Sequence, residues 1–142
     1  QTGVDRGALN LAVQLGIDHG GWCPRGRLAE DGTIPETYRL DETESADYPV
    51  RTERNVIDSD GTLILFRDRL VGGTELTRRL ANRHGRPCCL VDLNQPADAD
   101  RVRGWLVQNA IRVLNVAGPR ESSSAGICLA AEHFLKEVLS AP

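Results

Sequence analysis

The sequence lacks the features that define several large classes of protein. None of its hydrophobic runs approaches the length of a membrane-spanning segment, and the residues given include no secretory signal peptide. Basic residues are not in excess, since the net charge is -3, whereas binding to nucleic-acid phosphates requires a positively charged surface. We therefore expect a protein whose main partner is neither a membrane nor a nucleic acid.

Cysteine pairs and the common catalytic motifs are also absent. The four cysteines form no CxxC pair, which is typical of reduced thiols in the cytoplasm and not of a disulfide framework or a metal site. There is no GxSxG nucleophile elbow, no Walker lysine, no HExxH motif and no GxGxxG dinucleotide fingerprint. From the residues alone we predict a cytoplasmic protein with no metal site and no recognisable catalytic residue.

What the sequence does contain is a regular alternation of apolar runs and amphipathic segments. The apolar runs at 62–66, 87–91 and 112–116 are typical of strands that are covered on both faces. Segments with helical periodicity lie at about 4–15, 48–58, 74–84, 99–109 and 124–139. The alternation predicts a single α/β domain over residues 1–142, with a mostly parallel sheet and helices on both faces.

Two regions outside this alternation are harder to assign. The residues from Ile17 onward are expected to end a strand that leads into the glycine-rich loop 19–27. From there to about Ser45 the chain is polar and shows no period. A stretch of this length without secondary structure is typical of a functional or mobile loop.

The first residues of the chain have the pattern of a helix start. Thr2 and Asp5 fit a capping box, in which a hydroxyl and a carboxylate three residues later satisfy backbone amides at the helix N-terminus. Such a start attracts anions, although a well-capped helix that binds nothing explains the same pattern. A helix of this kind follows a strand in an α/β domain, so we expect a short, central strand before Gln1.

Three segments share a turn of small residues, then a hydroxyl, then a helix: residues 1–3, 72–74 and 118–123. Helices that follow parallel strands begin at the same edge of the sheet, and their free amides attract negative charge. We therefore predict that the three segments surround one anion, such as a phosphate. The residues expected at this site are Gln1, Thr2, Gly3, Asp5, Gly72, Gly73, Thr74, Glu121, Ser122 and Ser123, with Arg6, Arg25, Arg27 and Arg120 as counter-charges.

The same N-terminal stretch carries a resemblance to a known family. QTGVDRGAL at 1–9 resembles the (S)GGQTGxDRxAL opening of the molybdenum-carrier family, the molybdenum cofactor carrier proteins. The likeness continues through residues 19–32, 48–65, 72–74 and 118–122, so it spans nearly the whole chain. It implies a Rossmann-like fold of the SLOG/lysine-decarboxylase-like superfamily, which includes the "lonely guy" phosphoribohydrolases, and a strand ending in Ser-Gly-Gly before Gln1.

The resemblance also implies a function. Members of that family are described as homo-oligomers that bind molybdenum cofactor and shield it. For this chain the resemblance implies a homo-oligomer, a tetramer or a dimer, that binds molybdenum cofactor (Mo-molybdopterin) through its pterin phosphate. The cofactor would be cargo, protected for storage or passed on to molybdoenzymes.

Two other functions remain open at this point. A nucleotide-binding or nucleotide-hydrolysing enzyme of the phosphoribohydrolase type could use Glu75 or Glu121 to polarise water. Against it, residues 71–77 lack the proline and the correctly placed glutamate of the PGGxGTxxE signature of those enzymes. The third interpretation is a nucleotide-sensing module that acts by binding a partner protein.

Overall fold

The structure, a computed structural model, describes residues 1–96 and 98–140. From residue 48 onward helices and strands alternate, as the sequence predicts, whereas four short strands follow one another between the first two helices. The helices are α1 (Val4–Leu15), α2 (Tyr48–Ile57), α3 (Gly72–Arg83), α4 (Ala99–Gln108) and α5 (Ile127–Leu139). The strands are β1 (Trp22–Cys23), β2 (Leu28–Ala29), β3 (Gly32–Thr33), β4 (Asp41–Glu42), β5 (Gly61–Phe66), β6 (Cys88–Asp92) and β7 (Leu114–Ala117).

The central sheet is parallel, with strand order β6-β5-β7. Leu63 of β5 pairs with Cys89 on one side and with Val116 on the other. The run Gly61–Phe66 is apolar along almost its whole length because β5 is the middle strand and is covered on both faces. Since the three strands are parallel, their carboxyl ends lie at one edge of the sheet.

Helices cover both faces of this sheet. On one face, α1, α4 and α5 pack over side chains of β5, β6 and β7 and form the larger core. On the other face, α2 and α3 pack together around Val56, Leu80 and Ala81. Cys88 contacts this second cluster and Cys89 belongs to the first, as expected for adjacent residues of a strand. The predicted α/β fold with helices on both faces is confirmed.

The segment between β1 and α2 is ordered, so the prediction of a loop without secondary structure is wrong. Strands β2 and β3 form an antiparallel hairpin, and β1 pairs in parallel with β4. Cys23, Ala29 and Ile34 form a small buried cluster. The Arg27 guanidinium donates hydrogen bonds to four backbone carbonyls of the same segment, those of Ile34, Pro35, Tyr38 and Leu40. These contacts order the segment without producing a hydrophobic periodicity in its sequence.

Two predicted boundaries are also wrong. The chain does not form a strand at Ile17, which is exposed, and the first strand is Trp22–Cys23. The last helix begins at Ile127 and not at Ser124, because Gly126 has φ +82° and separates the helix from a short 3-10 turn at Glu121–Ser123. Within the described ranges, no helix is long and apolar enough to cross a lipid bilayer.

Candidate functional site

The first helix does not use the predicted capping box. Gly3 is the N-cap residue of α1, with φ +68°, and no side chain caps the helix. Thr2 therefore lies one residue too early, and its hydroxyl accepts a hydrogen bond from the backbone N of Glu121 at 3.1 Å. Asp5 accepts a hydrogen bond from Arg51 Nη1 at 2.7 Å. Both side chains connect α1 to other parts of the chain instead of to its own amides.

The start of α1 is in direct backbone contact with the segment that follows β7. Val4 N donates to the Pro119 carbonyl at 3.1 Å. A Cβ added to Gly3 would lie 2.1 Å from that carbonyl oxygen and 2.7 Å from the backbone carbon of Arg120. Glycine is therefore required at position 3, both for its positive φ and for the close approach. Two of the three predicted segments, 1–3 and 118–123, are thus brought together.

The position of the third segment, 72–74, follows from its place in the sheet topology, and not from contacts with the other two segments. It opens α3, which follows β5, so it lies at the same edge as the segment after β7. In the part of the chain that the structure describes, no hydrogen bond joins it to the other two segments. A Cβ added to Gly72 or Gly73 would meet no atom within 4 Å, so this helix start faces open space. Thr74 itself is buried.

A carboxylate that sequence analysis did not single out contacts both joined segments. Glu30, in the turn between β2 and β3, accepts hydrogen bonds from the hydroxyls of Thr2 and Ser122 and from Ser122 N, the last at 3.1 Å. Burial raises the pKa of this carboxyl, but the hydrogen bonds from Ser122 and Thr2 outweigh it, so the pKa lies below its ordinary value. Gln1 Oε1 accepts a hydrogen bond from Glu30 N at 2.8 Å. In the sequence, the only indication that Glu30 belongs to the site is its position in the stretch 19–32, which is part of the family resemblance.

Two mostly buried arginine side chains lie at the first turn of α1, one from that turn and one from α2. Arg6 donates two hydrogen bonds to Asp31, at 3.0 and 3.2 Å, and these lower the pKa of the Asp31 carboxyl. Arg51 pairs with Asp5, and its guanidinium lies 5.8 Å from the centre of the Tyr48 ring. Arg51 belongs to α2 and was not among the predicted site residues, because nothing in the sequence indicates that α2 reaches α1.

The remaining predicted arginines differ in what their side chains contact. Arg27 uses its guanidinium to hold the segment between β1 and α2 together, as described above. Arg25 is exposed, and its backbone N donates to the Ser45 carbonyl. Arg120 is exposed at the junction of the two joined segments, and its positive charge helps to lower the pKa of Glu30. Ser123 is exposed beside it. Arg120 is therefore the predicted counter-charge best placed to meet a ligand there.

The two carboxylates that a hydrolytic reaction would need have other partners. Glu121 accepts hydrogen bonds from the backbone N of Gly126, at 2.5 Å, and of Cys128, at 3.0 Å, at the start of α5. Glu75 pairs with Arg78 and Arg79, and the hydrogen bond from Arg78 lowers its pKa. The lowered pKa makes the Glu75 carboxylate a poor acceptor for a proton from water, and both oxygens of Glu121 are already occupied by backbone donors.

No metal centre is formed by the side chains of residues 1–96 and 98–140: no three His, Cys, Asp or Glu residues are grouped to hold an ion. A surface groove of about 790 Å³ lies between β6 and α4, and Leu90, Arg101 and Trp105 are among its lining residues. This groove shares no residue with the joined segments. The hydroxyls and the backbone amide that converge on one carboxylate lie at the joined segments and not in the groove, so the joined segments are the candidate site.

The fold and the site together define a class. A parallel sheet with helices on both faces, whose loops and helix starts meet beyond the carboxyl ends of the strands, is Rossmann-like. The chain belongs to the family described as the circularly permutated YpsA SLOG family, whose model matches residues 1–139. The SLOG superfamily indicated by the sequence resemblance is therefore confirmed.

A solved structure supports the same assignment. The crystal structure of the "Putative molybdenum carrier protein" from Syntrophus aciditrophicus SB is similar to this chain with a TM-score of 0.94 and 45% sequence identity. The similarity covers 98% of this chain and 90% of that one. A comparison with curated proteins gives no significant match.

Proposed function

We propose that this chain binds molybdenum cofactor as cargo and protects it, with the pterin phosphate held where residues 1–3 meet residues 118–123. The observation that carries the proposal is the direct contact between these segments at the carboxyl edge of the sheet. The name of the similar protein from Syntrophus aciditrophicus supports a molybdenum-related cargo. Storage, or transfer to molybdoenzymes, is the role that follows from such binding.

Hydroxyls, backbone amides and arginines supply the chemistry for the phosphate. Thr2 and Ser122 donate hydrogen bonds to the Glu30 carboxylate, so their donors are positioned for an anionic oxygen. Arg120 contributes positive charge where the two segments meet, and Arg6, which pairs with Asp31, contributes it from the first turn of α1. We propose that Gly72, Gly73 and Thr74 form the opposite wall, because α3 begins at the same sheet edge and its start is open.

Hydrolysis of a nucleotide finds less support in the geometry. Glu121 is engaged at the start of α5 and Glu75 is engaged by arginines of its own helix. We therefore propose binding, and not turnover, as the role of the site.

The proposal extends to assembly and location. We propose a cytoplasmic homo-oligomer, a dimer or a tetramer, following the resemblance noted in the sequence. Cys23, Cys88, Cys89 and Cys128 are all free thiols, which suits a reducing compartment. Native mass spectrometry of the protein as isolated would report the mass of the assembly and of any bound cargo together.

Replacement of Arg120 tests the site. We expect Arg120→Ala to weaken binding of molybdenum cofactor by about 1–3 kcal/mol, because a charge-assisted hydrogen bond to the phosphate is lost. Stability should not change, since this arginine is exposed. The measurement is an anaerobic titration of purified protein with cofactor released from a molybdoenzyme.

The matched control is Arg112→Ala, which removes an exposed arginine that follows α4 and precedes β7. It should bind like the wild type. If wild-type protein at micromolar concentration shows no saturable binding of the cofactor, the proposed function is rejected. If Arg120→Ala binds the cofactor with wild-type affinity, the binding site lies elsewhere in the protein.

A further inference from the structure

We propose that the hairpin at residues 28–33, here called the strap, competes through Glu30 for the donors of the proposed anion site, and that an incoming phosphate must displace it. This inference rests on the proposed function, since it concerns how the same site is opened. It makes the strap an internal competitor that sets the affinity of the site for its cargo.

The contacts of Glu30 are those expected of a bound anion. Its two carboxylate oxygens accept hydrogen bonds from three donors, the hydroxyls of Thr2 and Ser122 and the backbone N of Ser122. These donors come from the two segments that meet at the carboxyl edge of the sheet. A phosphate bound there would require the same donors, so the carboxylate and the phosphate exclude each other.

The strap is fastened mainly by polar contacts at its tip. Besides Glu30, Asp31 pairs with Arg6, and Gln1 Oε1 accepts a hydrogen bond from Glu30 N. The hairpin itself has only two residue pairs, Leu28 with Thr33 and Ala29 with Gly32. A Cβ at Gly32 would meet no atom within 4 Å, and Leu28 is exposed. Ala29, packed with Cys23 and Ile34, is the one buried side chain among residues 28–33, so the exposed tip at 30–32 can open without unfolding the domain.

Displacement has a measurable cost in affinity. The apparent dissociation constant of a ligand rises when the binding-competent form is only a fraction of the population. Because hydrogen bonds to a charged carboxylate are stronger than those to a neutral amide, Glu30→Gln should shift the strap toward its open form. The variant keeps nearly the same size and shape, and residue 30 is exposed, so the fold should be retained.

The test compares inorganic phosphate binding by the wild type, Glu30→Gln and Glu36→Gln, followed by isothermal titration calorimetry. Glu36→Gln is the matched control, because it removes an equal charge from an exposed position in the same segment. We expect Glu30→Gln to bind phosphate about tenfold more tightly than the wild type. Glu36→Gln should bind like the wild type.

Hydrogen exchange provides a second readout. Saturating phosphate should speed amide exchange in residues 28–33 of the wild type, because the strap is released. In Glu30→Gln the exchange should already be fast before phosphate is added. Unchanged or slower exchange on binding would show that the strap is not displaced.

The outcomes separate this inference from the proposed function. Equal phosphate affinity in Glu30→Gln and Glu36→Gln, or no phosphate binding by either variant, would overturn the inference that the strap competes with phosphate. The proposed function is judged separately by the titration with molybdenum cofactor, which does not depend on these variants. Saturable cofactor binding with no effect of Glu30→Gln on phosphate would leave the proposed function standing without the strap.

Discussion

At the residue scale, the site depends on how closely two backbones approach at Gly3. The Pro119 carbonyl occupies the space where any side chain at position 3 would begin. The residue also has φ +68° and ψ -134°, a conformation that residues with a Cβ rarely adopt. Gly3 therefore determines whether residues 1–3 and 118–123 can meet.

Substitution of Gly3 should separate the two segments. We expect Gly3→Ala to lower the free energy of unfolding by about 3 kcal/mol and to weaken cargo binding, because backbone strain and a backbone clash add together. Gly16→Ala is the control, since Gly16 has a similar φ of +67° but no atom within 4 Å of its added Cβ. It should cost only about 1 kcal/mol. Equal losses in denaturant unfolding would contradict the close approach.

The paired carboxylate of Asp31 predicts a pH dependence of stability. Its pKa is lowered in the folded state by the hydrogen bonds from Arg6, so its stabilising effect is complete above the unfolded-state pKa of about 4. The effect is lost as the pH falls from there through the lower folded-state value. Asp31→Asn should therefore flatten the acid limb of a stability profile, whereas Asp18→Asn, at an exposed position, should not. Parallel profiles for Asp31→Asn and the wild type would argue against the ion pair.

At the scale of elements, the position of α1 is set by its contact with α5. Gly7 faces the backbone of α5, where an added Cβ would lie 2.6 Å from the Cys128 carbonyl oxygen and 3.3 Å from the Ala131 Cβ. The two helices pack along their length around Val4, Leu11 and Ile127. Any outward shift of α1 would carry Thr2 and Gly3 away from residues 118–123.

A pair of glycine substitutions tests this packing. Gly7→Ala should destabilise the protein by about 2 kcal/mol, because overpacking forces the helices apart. Gly104→Ala, within α4, meets no atom within 4 Å and should stabilise by about 0.5–1 kcal/mol, since alanine favours the helix. Thermal unfolding of both variants gives the comparison. A stabilising Gly7→Ala would mean that α1 lies farther from α5 than described.

At the scale of the whole molecule, local patterns predict the layers but not the contacts between distant segments. The apolar runs of β5 and β6 and the periodic faces of α3 and α5 are visible in the sequence because burial on a sheet or helix imposes a period. The pairing of Asp5 with Arg51 and of Thr2 with Glu121 is not visible, because it depends on which loops the fold brings together. Thr2 and Asp5 matched a capping box by spacing alone.

The segment between β1 and α2 shows the same limit. Its order comes from carbonyls that surround Arg27 and from a cluster of a few apolar residues, and neither produces a periodic pattern. Glu30 could be noticed only as part of a stretch that resembles a family. Its contact with Ser122 spans a separation of 92 residues.

The most direct measurement of the central claim is an NMR titration that follows backbone amides as phosphate, and then molybdenum cofactor, is added. We predict that the largest shift changes fall on Gly3, Glu121 and Ser122, where the two segments meet. Changes confined to the groove between β6 and α4, around Leu90 and Arg101, would contradict the account.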